Sequence, residues 1–288
     1  MEEKKKPNIK ILVACHKPDP NTRQDDIYMP IQVGAALHPE LDLGFQKDDE
    51  GDNISYKNES YCELTALYWA WKNLTPDIEH IGLAHYRRYF NIDESKLKRY
   101  VSKYDIILPK PVKQAISNFK NLFSFIGMED AYIFIDTIVD LYPAMNKEVI
   151  EYFYNSNRYS VFNMLIAKKD IFNEYCQFLF NVLNETEKRI KPIQNYTRIN
   201  RRIGYMAEAL LGLWILHNKK RLSIKYVSTL NTDNIRLNLK GRIGLPFKSI
   251  LSNVYFNIQK YPKVKRLIAY NAVITGLNSD NIQLNNFQ

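Results

Sequence analysis

The sequence predicts an α/β fold built on a mainly parallel sheet covered by helices. Short apolar runs that read as buried strands recur at residues 10–15, 81–84, 104–108, 161–167 and 224–227. Segments with apolar residues at helical spacing lie between them, so strand and helix alternate along the chain. At 288 residues and 45% hydrophobic, the chain can bury one large core.

Residues 1–8 read as a disordered basic start. The run 10–15 is the first strand, and residues 16–23 form a polar loop at its carboxyl end. A compact apolar stretch over 26–37 is broken by His38 and Pro39. Asp48, Asp49, Glu50, Gly51, Asp52 and Asn53 make an acidic, turn-rich loop. Ser60 and Glu63 have capping-box spacing and open a helix through Asn73. Leu64, Leu67, Tyr68 and Trp71 share one face of that helix, and Thr75-Pro76 ends it. Strand 81–84 runs straight into His85, Tyr86, Arg87 and Arg88. Strand 104–108 stops at Pro109 and Pro111. Residues 113–142 read as helical, with Phe119, Leu122, Phe123 and Ile126 at helical spacing. Strand 161–167 follows, then helices over 170–184 and 202–217, then strand 224–227. These elements place one domain at 9–233. Beyond it, 234–288 reads as a basic, amphipathic helical extension in which Phe247, Ile250, Leu251, Val254 and Ile258 align on one helix face.

Composition narrows the function. Cys15, Cys62 and Cys176 are far apart and odd in number, which argues against a disulfide framework or a cysteine metal site and for a reducing cytoplasm. No run approaches the ~18 apolar residues of a membrane span. The apolar stretch near the N-terminus contains Lys10 and ends in His-Lys-Pro, so it is not read as a signal peptide. The net charge of +9 is unevenly placed. Residues 234–288 hold eight Lys and Arg against one acid, Asp280, leaving the body nearly neutral. Basic charge confined to one tail, not interleaved with aromatics on a sheet, does not read as a nucleic-acid-binding surface. The P-loop, the dinucleotide fingerprint, the zincin helix and the nucleophile elbow are all missing.

Chemistry concentrates at 78–90, IEHIGLAHYRRYF. A buried strand is a rigid mount, and two arginines at its end suit an anion such as a diphosphate. The alternative is a surface arginine pair bridged to carboxylates. Glu208, inside the apolar helix GYMAEALLGLWI, is either paired with Arg201 or Arg202 or functional with a raised pKa. His85 reads equally as a hydrogen-bonding strand-end residue or as a site residue. The acidic loop offers hard oxygen ligands for Mg²⁺ or Mn²⁺, or is simply solvated.

The blocks ILVACHK, IYMPIQVGAAL, GDNISYKNESYCELTALYWAWKN, IGLAHYRRYF and GYMAE resemble the bacterial capsular polysaccharide and exopolysaccharide glycosyltransferases with a His-Tyr-Arg-Arg hallmark, some of them galactofuranosyltransferases. The likeness spans residues 9–230. VFNMLIAKKDIF is also similar to the strand and helix that follow the donor site in GT-A sugar-nucleotide transferases. The resemblance implies a GT-A-like, Rossmann-like mixed sheet. It implies transfer of a hexose, galactofuranose or galactose, from a UDP-sugar to a saccharide acceptor in capsule, exopolysaccharide or O-antigen synthesis.

Carried onto this sequence, the resemblance assigns the donor diphosphate to His85, Tyr86, Arg87 and Arg88. It assigns the nucleotide and sugar to Ala14, Cys15, His16, Lys17, Asp52, Asn53, Asn58 and Asn163. Glu208 is the expected general base, with Asp49 in reserve. GT-A enzymes usually end the preceding strand in D-x-D, which holds Mn²⁺. Arginines stand there in this chain, so no metal ligand and no required Mn²⁺ or Mg²⁺ is expected. The expected partners are a UDP-sugar, a lipid-linked saccharide acceptor, an anionic membrane surface and a second copy of the chain, with no nucleic acid. The expected place is the cytoplasm, peripheral on the inner face of the cytoplasmic membrane. A non-catalytic carbohydrate-binding or polysaccharide-assembly protein is the alternative.

Overall fold

A computed structural model describes residues 7–191 and 199–232. Of the basic start expected at 1–8, residues 1–6 lie outside the described residues, as does the extension expected at 234–288; Asn8 is described, and its carbonyl accepts from the Glu79 and His80 N–H groups. Eleven strands are described: β1 (Ile9–Cys15), β2 (Tyr28–Gln32), β3 (Gln46–Lys47), β4 (His80–His85), β5 (Arg88–Phe90), β6 (Ile106–Pro109), β7 (Val112–Lys113), β8 (Arg158–Tyr159), β9 (Leu165–Lys168), β10 (Ile224–Val227) and β11 (Thr229–Asn231). The helices are α1 (Asn58–Tyr61), α2 (Leu64–Asn73), α3 (Glu94–Val101), α4 (Asn118–Ile126), α5 (Met128–Leu141), α6 (Asn146–Val149), α7 (Lys169–Ile190) and α8 (Arg202–Asn218).

The main sheet runs β10-β6-β9-β4-β1-β2-β3, with β5 and β11 added beside β4. Pairs β1·β2, β1·β4, β2·β3 and β6·β10 are parallel. Strand β9 is antiparallel to both of its neighbours, β4 and β6. The result is the mixed, mostly parallel, helix-flanked sheet of a GT-A-like fold.

Period-two alternation explains why β1 is apolar on both faces. Leu12 and Ala14 face the larger core, under α2, α4, α5, α7 and α8. Ile11, Val13 and Cys15 face a smaller core with Tyr86, Tyr89, Leu97 and Ile166. Gly82 of β4 sits where strands approach closely. A Cβ there would lie 2.9 Å from the Leu165 carbonyl oxygen and 3.2 Å from Ile11 Cγ1.

Three local expectations are corrected. Residues 113–142 are not one helix: Lys113 ends β7, and α4 and α5 meet at Gly127, whose φ of 87° breaks the helix. The strand expected at 161–167 begins only at Leu165, because Phe162 and Asn163 turn through φ of 74° and 51°. The Ser60–Glu63 capping box does not form. Ser60 lies within α1, and Glu63 stands at the N-cap of α2 with no side-chain cap bond.

Candidate active site

A cleft of about 430 Å³ opens over the carboxyl ends of β1 and β4. The chain leaves β1 toward β2 and β3 on one side and returns to β4 on the other. Open α/β sheets take ligands at such a reversal of strand order. β1 delivers Ala14 and, just past its end, His16. The end of β4 delivers His85, Tyr86, Arg87 and Arg88. The turn into α1 delivers Asn58, and Arg201 enters from the start of α8.

Three guanidinium groups, Arg87, Arg88 and Arg201, line this cleft together with two carboxylates, Glu59 and Glu63. Arg87 Nε lies 3.4 Å from Asp19 Oδ2, in the loop after β1. The Arg88 guanidinium sits 4.2 Å above the Phe162 ring. His16 packs edge-on against Tyr86. Partial burial depresses the His16 pKa, and Lys17, Arg87, Arg201 and His85 depress it further. A neutral imidazole beside several cations marks a field suited to an anion.

The Phe162–Asn163 turn fastens the rear of the site. Its left-handed backbone is strained for residues with a side chain, and such strain concentrates at functional sites. The Phe162 carbonyl accepts from His85 Nε2 at 2.6 Å, and its N–H donates to Glu208 Oε1 at 2.9 Å. Asn163 Nδ2 donates to Glu63 Oε1 at 2.8 Å and to the Gly204 carbonyl at 3.2 Å. One strained turn thus fixes His85, Glu208 and Glu63 together.

Glu208 makes no ion pair among the described residues. Burial pushes its pKa up from 4.5 to about 7, and Glu63 adds to the rise, while the Phe162 N–H, Arg201 and Arg88 oppose it. Its Oε2 makes no hydrogen bond to the described residues, and the side chain keeps partial solvent exposure. Such a carboxylate can exchange a proton near neutral pH.

Not every expected residue reaches the cleft. Cys15 points into the smaller core, its thiol bonded to the Val13 carbonyl and its pKa pushed up to about 12 by burial. Lys17 is exposed and does not line the cleft. Asn163 supports the site from behind, buried to 2% exposure. The acidic loop is a structural corner. Asp48 is fully buried and accepts from the Gly34 and Ala35 N–H groups and from Ser55 Oγ. Asp52 is tied to Asn73 and Tyr68, and Asn53 to the Asp49 and Gly51 carbonyls. Asp49, Asp52 and Asn53 do not line the cleft, and Glu208 stands behind its lining, held by the Phe162 N–H. Among the described residues no group of three or more His, Cys, Asp or Glu side chains is placed to hold a metal ion. Of the side chains delivered by the end of β4, the Arg87 and Arg88 guanidiniums have no lone pair to give a cation, Tyr86 is phenolic, and the His85 Nε2 is turned to the Phe162 carbonyl.

The structure adds Val33, Glu59, Cys62, Glu63 and Arg201 to the cleft. Cys62 adopts φ of 52°, and its Sγ accepts from Arg201 Nε at 3.3 Å. Glu63 carries a sequence signal, but the capping pattern explained it as a helix start.

Residues 10–219 match the family model described as "Domain of unknown function (DUF4422)". The chain belongs to this family. The solved apo structure of WbbM, a bifunctional glycosyltransferase, is similar to this chain at 30% sequence identity and a TM-score of 0.70. The match covers 79% of this chain and 46% of WbbM, so the chain spans less than half the length of that protein. No curated protein sequence matches. In this DUF4422 chain, the matched span contains the whole cleft and the strained turn behind it.

Proposed function

We propose that this chain is a glycosyltransferase that moves a hexose from a UDP-sugar to a saccharide acceptor in capsule, exopolysaccharide or O-antigen synthesis. The observation that carries the reading is one constellation. An arginine-bearing cleft at the sheet's ligand edge is backed by Glu208, which is held by the Phe162 N–H behind the lining residues and whose pKa is raised to about 7. The likeness to a bifunctional glycosyltransferase supports the same class, and the His-Tyr-Arg-Arg resemblance favours galactofuranose or galactose as the sugar.

In this reading the diphosphate lies against Arg87 and Arg88, where guanidinium groups make charge-assisted bonds to phosphoryl oxygens. Ala14 and His16 border the nucleotide end. The acceptor hydroxyl oxygen attacks the anomeric carbon, and its proton passes to Glu208. The bond from that carbon to the β-phosphate oxygen breaks, and UDP leaves with the electron pair. Arg87 and Arg88 are positioned to stabilise the charge that builds on the diphosphate. One base suffices for this displacement, which inverts the anomeric centre. Mn²⁺ or Mg²⁺ has no assigned role in these steps.

A UDP-release screen over several UDP-sugars, with and without EDTA, tests the reading. Release is expected with at least one hexose donor and is expected to survive chelation. Arg87→Ala and Arg88→Ala are each expected to lower turnover by about 10²–10³. Wild-type turnover in both variants would place the anion site elsewhere. Complete loss with EDTA, restored by Mn²⁺, would overturn the metal-free mechanism.

A further inference from the structure

A second cleft, about 550 Å³, lies along the far half of α8. Its margin carries Lys110, Lys113, Arg158 and Lys219, against a single carboxylate, Glu151. None of these five makes an ion pair among the described residues, and four uncompensated cations around one hollow attract an anion. The floor is apolar: Ile215 and Leu216 of α8, with Ile224 and the exposed Tyr226 from β10. A cationic margin over an apolar floor matches an amphiphile with a phosphate head.

Helix α8 joins this cleft to the first. Gly204, Glu208, Gly212, Ile215 and Lys219 recur at three- and four-residue spacing, on one helix face. Gly204 packs on Cys62 at the first cleft, while Gly212, Ile215 and Lys219 line the second. Glu208 lies one turn from each glycine. At 1.5 Å per residue, Lys219 is roughly 16 Å along the axis from Glu208. Charge effects agree with this intermediate place. Glu208 is influenced by Arg88 and Arg201 of the first cleft and itself acts on Tyr152 of the second.

Gly212 makes room for the Tyr152 ring, which packs on the α8 backbone beside the second cleft. A Cβ there would lie 2.2 Å from the Tyr152 hydroxyl oxygen. Tyr152 is carried on a wide π-type turn, Ile150–Tyr154, a geometry frequent at functional sites. Ser160, also on this cleft, is two residues before Phe162, whose N–H holds Glu208.

We infer that the second cleft binds the phosphate-bearing end of the acceptor, an amphiphile with a phosphate or diphosphate head and an apolar body. This rests on the glycosyltransferase reading of the first cleft. The phosphate lies among Lys113, Arg158 and Lys219, and the saccharide extends along α8 until its free hydroxyl meets Glu208. Donor and acceptor thus enter from opposite sides of the carboxylate.

The test uses the full chain with its first cleft saturated with UDP. Farnesyl diphosphate and inorganic diphosphate are titrated calorimetrically into wild type and into Arg158→Ala/Lys219→Ala. Farnesyl diphosphate is expected to bind wild type and to lose at least tenfold in affinity in the variant. UDP affinity should stay within twofold, which also reports an intact fold. Inorganic diphosphate should bind wild type more weakly, because it leaves the floor bare. Equal affinity for the two probes assigns the cleft to a soluble phosphate ester and overturns the amphiphile. Unchanged farnesyl diphosphate binding in the variant overturns the site itself. If wild type binds no UDP, the donor-site reading fails, and the variant titration still decides the second cleft.

Discussion

Glu208 holds its proton to about pH 7 because burial and the neighbouring Glu63 disfavour its charged form. As the base, it must be ionised to accept a proton. The kcat/KM is therefore expected to fall tenfold per unit as pH drops below about 7. Glu208→Gln removes that limb and lowers turnover by roughly 10²–10⁴. The same shift makes a stability prediction of opposite sense. The carboxyl pKa is 4.5 without the fold and about 7 within it, so between these values the native state binds more protons than the unfolded chain. Stability then declines as pH rises through that window. The cost is at most ~3 kcal/mol at pH 8, less where solvent screens the exposed edge. Glutamine keeps an acceptor for the Phe162 N–H without the charge. Glu208→Gln should melt higher than wild type at pH 8 and level with it at pH 4. A variant that melts lower at pH 8 would show the carboxylate to be a structural pin.

Strands β1, β4 and β9 meet so closely that only glycine fits at position 82. Backbone on one side and Ile11 on the other leave a methyl group nowhere to go. Gly82→Ala is expected to destabilise by about 1–3 kcal/mol, read as a lower urea midpoint at unchanged slope. An unchanged midpoint would mean that the strands can spread. Strands β1, β4 and β6 were legible in the sequence because they are buried on both faces and need apolar residues within a short run. Helix α2 was legible from its apolar face. The His85–Arg88 corner was legible because charge follows directly on a buried strand. Other parts needed the fold. Cys62 and Arg201 are 139 residues apart in sequence, and no local pattern brings them together. The left-handed turn at Phe162–Asn163 carries no glycine to announce it. The acidic loop misled because composition cannot distinguish Asp48, buried on backbone N–H groups, from a solvated or metal-binding carboxylate.

The charge of the chain is divided: a nearly neutral body carries both clefts, and residues 234–288 hold most of the +9. The family match ends at 219, so this basic stretch lies beyond the matched span. Its apolar positions 247, 250, 251, 254 and 258 follow a helical spacing in the sequence, and Lys248, Lys260, Lys263, Lys265 and Arg266 accompany them with no acid until Asp280. That pattern suits a helix lying in the interface of an anionic membrane, where each basic residue near the surface adds about 1 kcal/mol. An acceptor with a phosphate head and an apolar body would be presented at the same surface, so a peripheral tail would raise the encounter rate without touching the chemistry. The full chain is expected to co-sediment with phosphatidylglycerol vesicles at low salt and to be released as salt shortens the Debye length. A chain cut near Asn234 should lose vesicle binding yet keep UDP affinity. If the full chain ignores such vesicles at low salt, the apolar face belongs against the catalytic body or a second copy of the chain. The cut protein would then show lower stability or an altered oligomeric state.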